Sequence, residues 1–250
     1  MKAAVYGRIV FGGSAVLVGV IALMWRDADT WQTLGQIWKL PFGLIIGECL
    51  MVLQVAGGVG MQFSRTARMA AVVLFAVYIC FALACIPAII AASDLFNRYG
   101  GSFLQQVSLV CGAMALYAMT RGSSARAATL RKAARIGLGI SAISFTLSQV
   151  LYLRYTASLV PKWIPPSQMF WATLTTIAFG LAALAMLVNR QARLAAGLMA
   201  LMLALFGVLV WIPRLVAHPH AHFIWSESGF TFLIAGAAWM VAELPSIART

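Results

Sequence analysis

Eight continuous apolar runs limit what this chain can fold into more than any other feature. They cover residues 5–25, 40–63, 69–92, 103–119, 136–153, 169–188, 194–211 and 229–244. A hydrocarbon layer about 30 Å thick takes about 20 apolar residues to cross as a helix, and the runs are of that order, the last being the shortest. They are continuously apolar rather than alternating, which argues against a β-barrel and leaves helix as the element. Of the 250 residues, 62% are hydrophobic and 10% charged, against about 45–50% and about 25% in a soluble domain. A mean hydropathy of +0.92 leaves no polar shell. These figures exclude a secreted disulfide scaffold, a disordered chain and a soluble enzyme. The expected fold is an all-α membrane protein with eight transmembrane helices.

The net charge of +12 comes from basic residues in short connections between apolar runs. That pattern orients membrane helices and does not point to nucleic acid. Lys2, Arg8, Arg65, Arg68, Arg121, Arg126, Arg131, Lys132, Arg135, Arg190, Arg193 and Arg249 fall at the two ends and in the even-numbered connections. Only Arg26, Lys39, Arg98, Arg154, Lys162 and Arg214 fall in the odd ones. The imbalance of twelve to six predicts both termini on the cytoplasmic side. No small-x-small cleavage site follows Met24, so the first run reads as a span and not a signal peptide. Seven of the eight tryptophans lie in or beside the odd connections, as an outer aromatic belt would. Cys49, Cys80, Cys85 and Cys111 sit inside apolar runs without a C-x-x-C pair and read as small buried hydrophobes, with a thiol relay as the alternative.

The sequence also repeats itself at a spacing of about 125 residues. Ser64-Arg-Thr-Ala-Arg-Met-Ala-Ala71 matches Asn189-Arg-Gln-Ala-Arg-Leu-Ala-Ala196. Arg8-Ile9 echoes Arg135-Ile136, Trp38-Lys-Leu-Pro41 echoes Lys162-Trp-Ile-Pro165, and Ile86-Pro87 echoes Ile212-Pro213. The reading is two parallel four-helix repeats, residues 1–120 and 136–250, joined by a basic cytoplasmic linker over 121–135. An even number of spans per unit makes the repeats parallel, about a pseudo-two-fold axis along the membrane normal. The turns at 64–68 and 189–193 force antiparallel neighbours. In the first outer loop, Trp31, Leu34, Ile37 and Trp38 share one helical face, which either lies flat in the interface or is an irregular anchoring loop.

At these residues the chain resembles the DoxX-like family of small bacterial membrane proteins. The matching pieces are Leu159-Val-Pro-Lys-Trp-Ile-Pro165, with Pro161, Trp163 and Pro165 as motif residues, Gly47-Glu48 in the second run, and the Arg-x-Ala-Arg turns. Members are usually one four-helix unit, so the resemblance implies a tandem duplication over nearly the whole chain. It also implies a bacterial inner-membrane location and an association with redox systems, including thiosulfate and quinone oxidation. The chain departs from the family pattern in three places. The second half has Ala172 or Thr173 where the first has Glu48, the full proline motif occurs only in the second half, and the usual upstream histidine is missing near Leu153-Arg154.

Glu48 stands out as an ionisable residue inside a span, where function or pairing is the default. No Arg or Lys lies at its depth on an adjacent span, so a neutral carboxyl is expected, facing the first bundle's interior. Its expected partners are Gln105 and Gln106 at the outer start of the fourth span, and Gly43 and Gly47 would let a neighbouring helix approach. His218, His220 and His222, with Glu227, are expected in the last outer loop. Alternate histidines can bind a metal or sense pH, but there is no second ligand cluster, and no metal is assigned. Glu243 is expected to pair with Arg8 or Arg135, and Arg65, Arg68, Arg190 and Arg193 read as topology anchors touching anionic lipid.

No catalytic triad, nucleotide fingerprint or zinc motif is present, so enzymatic activity is left open. The residues show no evident cofactor; quinone is the candidate. The leading reading is an accessory subunit of a redox or quinone-linked membrane system, with a membrane or periplasmic redox partner. A small-molecule or lipid carrier and a membrane assembly scaffold are the alternatives.

Overall fold

The computed structural model describes residues 6–26, 34–122 and 124–245. All regular structure among them is helical. Seven helices are long and apolar enough to cross a membrane: α1 (Tyr6–Trp25), α2 (Gly43–Gln62), α3 (Ala67–Ile90), α4 (Gly101–Thr120), α5 (Ala125–Leu151), α6 (Gln168–Leu187) and α7 (Ala192–Ala217). A further long helix, α8 (His222–Ala242), carries His222, Ser226, Glu227 and Ser228 in its first two turns and is less apolar. All eight apolar runs therefore coincide with helices. Lys2, Trp31 and Arg249 lie outside the described residues.

Several helix ends follow from local chemistry. The Ser124 side chain accepts the Ala127 N–H (3.2 Å) at the start of α5, and Ser167 accepts the Phe170 N–H (3.2 Å) at the start of α6. Two long helices are disturbed just ahead of a proline. α3 is interrupted at Cys85 before Pro87, and α7 passes through a π-helical turn, Gly207–Trp211, before Pro213. Proline supplies no N–H to the turn behind it, so the ladder has to shift there.

Consecutive long helices pack on one another, α8 closes back on α1, and α4 packs on α8. Because Gly7 of α1 meets Glu243 just past α8, while Arg131 and Arg135 of α5 lie beside Ala242 and Leu244, α1 and α5 start on the same face. That face carries the tight turns between α2 and α3, α4 and α5, and α6 and α7. The opposite face carries the longer connections with their short helices, Leu34–Ile37, Leu95–Arg98 and Leu153–Leu159. One hydrophobic core runs through all eight long helices. At its centre, α8 presents the small buried residues Ala235, Gly236, Ala237 and Ala238. There a Cβ on Gly236 would lie 2.5 Å from the Phe11 Cα of α1, and one on Gly112 of α4 would lie 2.7 Å from the Ala237 Cβ. Such close backbone approach is what stabilises helix contacts where lipid removes the hydrophobic drive.

Two boundaries differ from the sequence reading. α5 begins at Ala125, inside the stretch read as a basic linker, because Ala127 and Ala134 are buried and give the basic segment a packing face. α8 begins at His222, well ahead of residue 229, because its polar first turns are buried against protein.

The α4–α8 crossing gives a paired expectation. Gly112→Leu should destabilise the protein by about 1–3 kcal/mol through overpacking. Gly13→Leu, where an added Cβ meets nothing within 4 Å, should leave the melting temperature in detergent unchanged.

Candidate functional site: a cavity among α5 to α8

A cavity of about 800 Å³ opens among α5, α6, α7 and α8 toward the face with the long connections. Its walls are chiefly apolar, with Phe145, Phe179, Phe206 and Phe230 lining it. Polar groups from four helices interrupt this surface: Gln105 of α4, Gln149 of α5, Thr175 of α6, and Glu227 and Thr231 of α8. Gln149 Oε1 accepts from the hydroxyls of Thr176 (2.9 Å) and Thr175 (3.3 Å), which ties α5 to α6 at the wall. Thr231 donates back to the Glu227 backbone carbonyl (2.8 Å). The lining extends to Leu198, Leu201 and Leu205 of α7, which are also exposed on the outside of the bundle, so the cavity reaches the surface that would meet lipid. An apolar pocket with a few convergent polar groups is the usual form of a small-molecule site.

The structure gathers some of the sequence candidates here and disperses others. Gln105, Glu227 and Pro161 line the cavity. Glu227 is therefore a helical residue on a cavity wall, a correction to its placement in a loop. Pro165 frames the site by accepting the Trp171 indole N–H (2.8 Å) through its carbonyl, while Trp163 points outward, 73% exposed. Gln106 is buried on another face of α4. The histidines do not act together. His218 and His220 are exposed, whereas His222 is 6% exposed and stacks on Trp25 with ring centroids 4.9 Å apart. Among the described residues, no three His, Cys, Asp or Glu side chains are grouped to hold a metal ion.

Glu48 is also corrected. It is exposed on the outer surface of α2, and its Oε1 lies 3.4 Å from Arg26 Nη2. It makes no contact with the glutamines of α4. Arg26 has a left-handed φ of 50°, so the chain turns off α1 with its guanidinium reaching α2. The glycines beside Glu48 receive no long helix. A Cβ on Gly43 would meet the Ile37 carbonyl at 2.2 Å, and one on Gly47 the Trp38 indole at 2.9 Å. The described part of the α1–α2 connection thus folds onto α2 through its short helix, with Leu34 and Ile37 buried. Of the cysteines, Cys85 and Cys111 are buried and Cys49 and Cys80 exposed, all as free thiols.

At the opposite face, arginines hold helix ends together. Arg8 donates to Ser64 Oγ (3.1 Å) and to the Gln62 carbonyl (3.3 Å) at the end of α2. Arg135 does the same at the end of α6, through the Met186 and Leu187 carbonyls. Glu243 accepts the Gly7 N–H (3.2 Å) rather than bonding an arginine. Sequence reasoning missed Gln149, Thr175 and Thr176, and also Gln54, which is buried and donates to the Ala15 carbonyl (3.0 Å). The available signal was a hydrogen-bonding side chain inside an apolar run.

Seven apolar helices of spanning length around one core are the architecture of a multi-pass membrane protein. No protein-family model, curated protein or solved structure matches the chain.

An exposed ion pair contributes about 0–1 kcal/mol. Glu48→Gln and Arg26→Gln should therefore each leave thermal stability and cavity binding close to wild type, as read by melting and ligand-binding assays. A collapse of either would mean that the pair anchors the bundle.

Proposed function

We propose that the chain is an eight-span bacterial inner-membrane protein, with both termini cytoplasmic, whose second half holds one amphipathic and mostly apolar molecule. The observation that carries this reading is the cavity among α5 to α8. Gln105, Gln149, Thr175 and Glu227 can hydrogen-bond a polar head there, while the phenylalanines and α7 leucines take an apolar body. This chemistry suits the ring carbonyls and tail of a quinone. It therefore joins the accessory, redox-linked role implied by the DoxX-like resemblance. A lipid or small-molecule carrier is the second reading, favoured by the reach of the cavity toward the lipid-facing leucines.

A tandem duplication is part of the proposal, and several contacts support it. Arg8 and Arg135 cap the ends of α2 and α6 respectively. A Cβ on Gly12 would crowd Met61 and Gln62, and one on Gly139 would crowd Met186 and Leu187, the same partners one repeat later. Gly112 and Ala237, also one repeat apart, touch each other, as residues beside a two-fold axis do. The excess of basic residues on the face of the tight turns supports its cytoplasmic assignment.

Organic extraction of the purified protein, followed by mass spectrometry, tests the ligand. A quinone near one per chain supports the redox-linked reading, and a single enriched lipid class supports the carrier. Thr175→Trp, which fills the cavity, should lower the extracted ligand at least about fivefold without unfolding the protein, by removing the room a pocket needs. Wild-type protein that yields no ligand and binds no added short-chain quinone would overturn the site. Cysteine labelling at positions within 122–134 should succeed only from the cytoplasmic side.

A further inference from the structure

A second cavity, of about 520 Å³, lies on the tight-turn face between α5, α7 and α8. Arg131, Arg135 and Arg193 line it, with Asn189, Gln191 and the first residues of α7, and no Asp or Glu is among the lining residues. Each arginine is fixed by a neutral acceptor. Arg131 donates to the Gly122 carbonyl, Arg135 to those of Met186 and Leu187, and Arg193 to that of Ala242 (3.1 Å). Carbonyls orient a guanidinium but do not cancel its charge, and each fork keeps further N–H donors for a ligand. The start of α7 adds a partial positive charge, since no side chain caps it.

We infer that this cavity binds a phosphate-bearing anion, supplied by the headgroup of an anionic phospholipid in the adjacent leaflet. The volume fits a glycerophosphate headgroup, and basic pockets between spans on the cytoplasmic side are where such headgroups bind. The other half of the chain carries an aromatic side chain at the corresponding place. One repeat earlier, Arg68 stands where Arg193 does, and Tyr117 stands where Ala242 does. The Tyr117 ring receives the guanidiniums of Arg68 and Arg121, at 5.8 and 5.3 Å from its centroid. In the first half an aromatic face takes up the cationic charge; in the second half, alanine leaves the arginines an open cavity. This inference is independent of the cavity on the opposite face.

The test uses the full-length protein, delipidated in neutral detergent, with phosphatidylglycerol, phosphatidylcholine and inorganic phosphate as probes and native mass spectrometry as the readout. Phosphatidylglycerol should bind in preference to phosphatidylcholine. Arg193→Gln should weaken it about fivefold, the scale of one basic residue at a charged membrane. If that variant fails to fold, Arg131→Gln carries the same expectation. Ala242→Tyr keeps every arginine and fills the cavity as Tyr117 does in the first half, so it should abolish binding while the protein stays monodisperse. Displacement of the lipid by inorganic phosphate would show that the phosphate group alone suffices and that free phosphate is also a source. Failure to displace it would assign the site to the lipid. Equal binding of the two lipids, or wild-type binding by the folded arginine variant and Ala242→Tyr, would overturn the proposal. Neither result would touch the quinone or lipid extracted from the other cavity.

Discussion

The close packing of α1 and α4 against the small residues of α8 is the contact on which the rest of the fold depends. In a bilayer, apolar side chains gain little by leaving lipid for protein, so association rests on packing and hydrogen bonds. Ala235, Gly236, Ala237 and Ala238 let two helix backbones approach α8 from different sides. Once α8 is held there, α1 is joined to the second half and α4 crosses from the first. The halves consequently share one core, with no separate bundle on either side. Lipid does not have to solvate α8, because protein surrounds most of it. This is why α8 tolerates His222, Ser226, Glu227 and Ser228 in its first two turns.

The two halves of the chain make similar scaffolding contacts and differ on their two faces. Arginines cap helix ends in both, and glycines admit the same neighbours in both. On the face with the long connections, the first half carries the short helix Leu34–Ile37, whose Leu34 and Ile37 are buried. The corresponding connection of the second half runs through Pro161 and Ile164, which line the rim of a cavity. On the tight-turn face, Arg68 packs on the Tyr117 ring, whereas Arg193 shares a cavity lining with Ala242. Most of the residues lining the two cavities described above come from the second half.

The sequence made the helices legible, because continuous apolar runs have only one solution in lipid. It was less informative where polarity and burial part company. The start of α8 lacks the hydropathy of a span because its polar residues face protein, which a sequence window cannot distinguish from facing water. The start of α5 was hidden by its arginines, although Ala127 and Ala134 provide a buried stripe. Glu48 was misread for a different reason. Its partner Arg26 lies beyond the end of another helix, and only the left-handed turn at Arg26 brings the two together. The cavity was half visible: Gln105, Glu227 and Pro161 were named from the sequence, but nothing in the spacing showed that they share one wall with Gln149 and Thr175.

Polar residues inside the bundle fall into two groups, which separates structure from site. Gln54 is wholly buried and bonds the Ala15 carbonyl, so it joins α1 to α2 and offers nothing to a ligand. Gln149 makes an equivalent helix-to-helix tie through Thr176, yet it also stands on a cavity wall. A side-chain amide has one acceptor and two donors. With the acceptor turned toward the threonines, the amide N–H groups of Gln149 remain for the cavity. Glu227 is among the residues of the same lining. A cavity with donors on one wall and a carboxylate on another can orient a head that both accepts and donates hydrogen bonds. Hydrocarbon alone would be held without orientation, whereas polar groups on the wall would give such a head fixed partners.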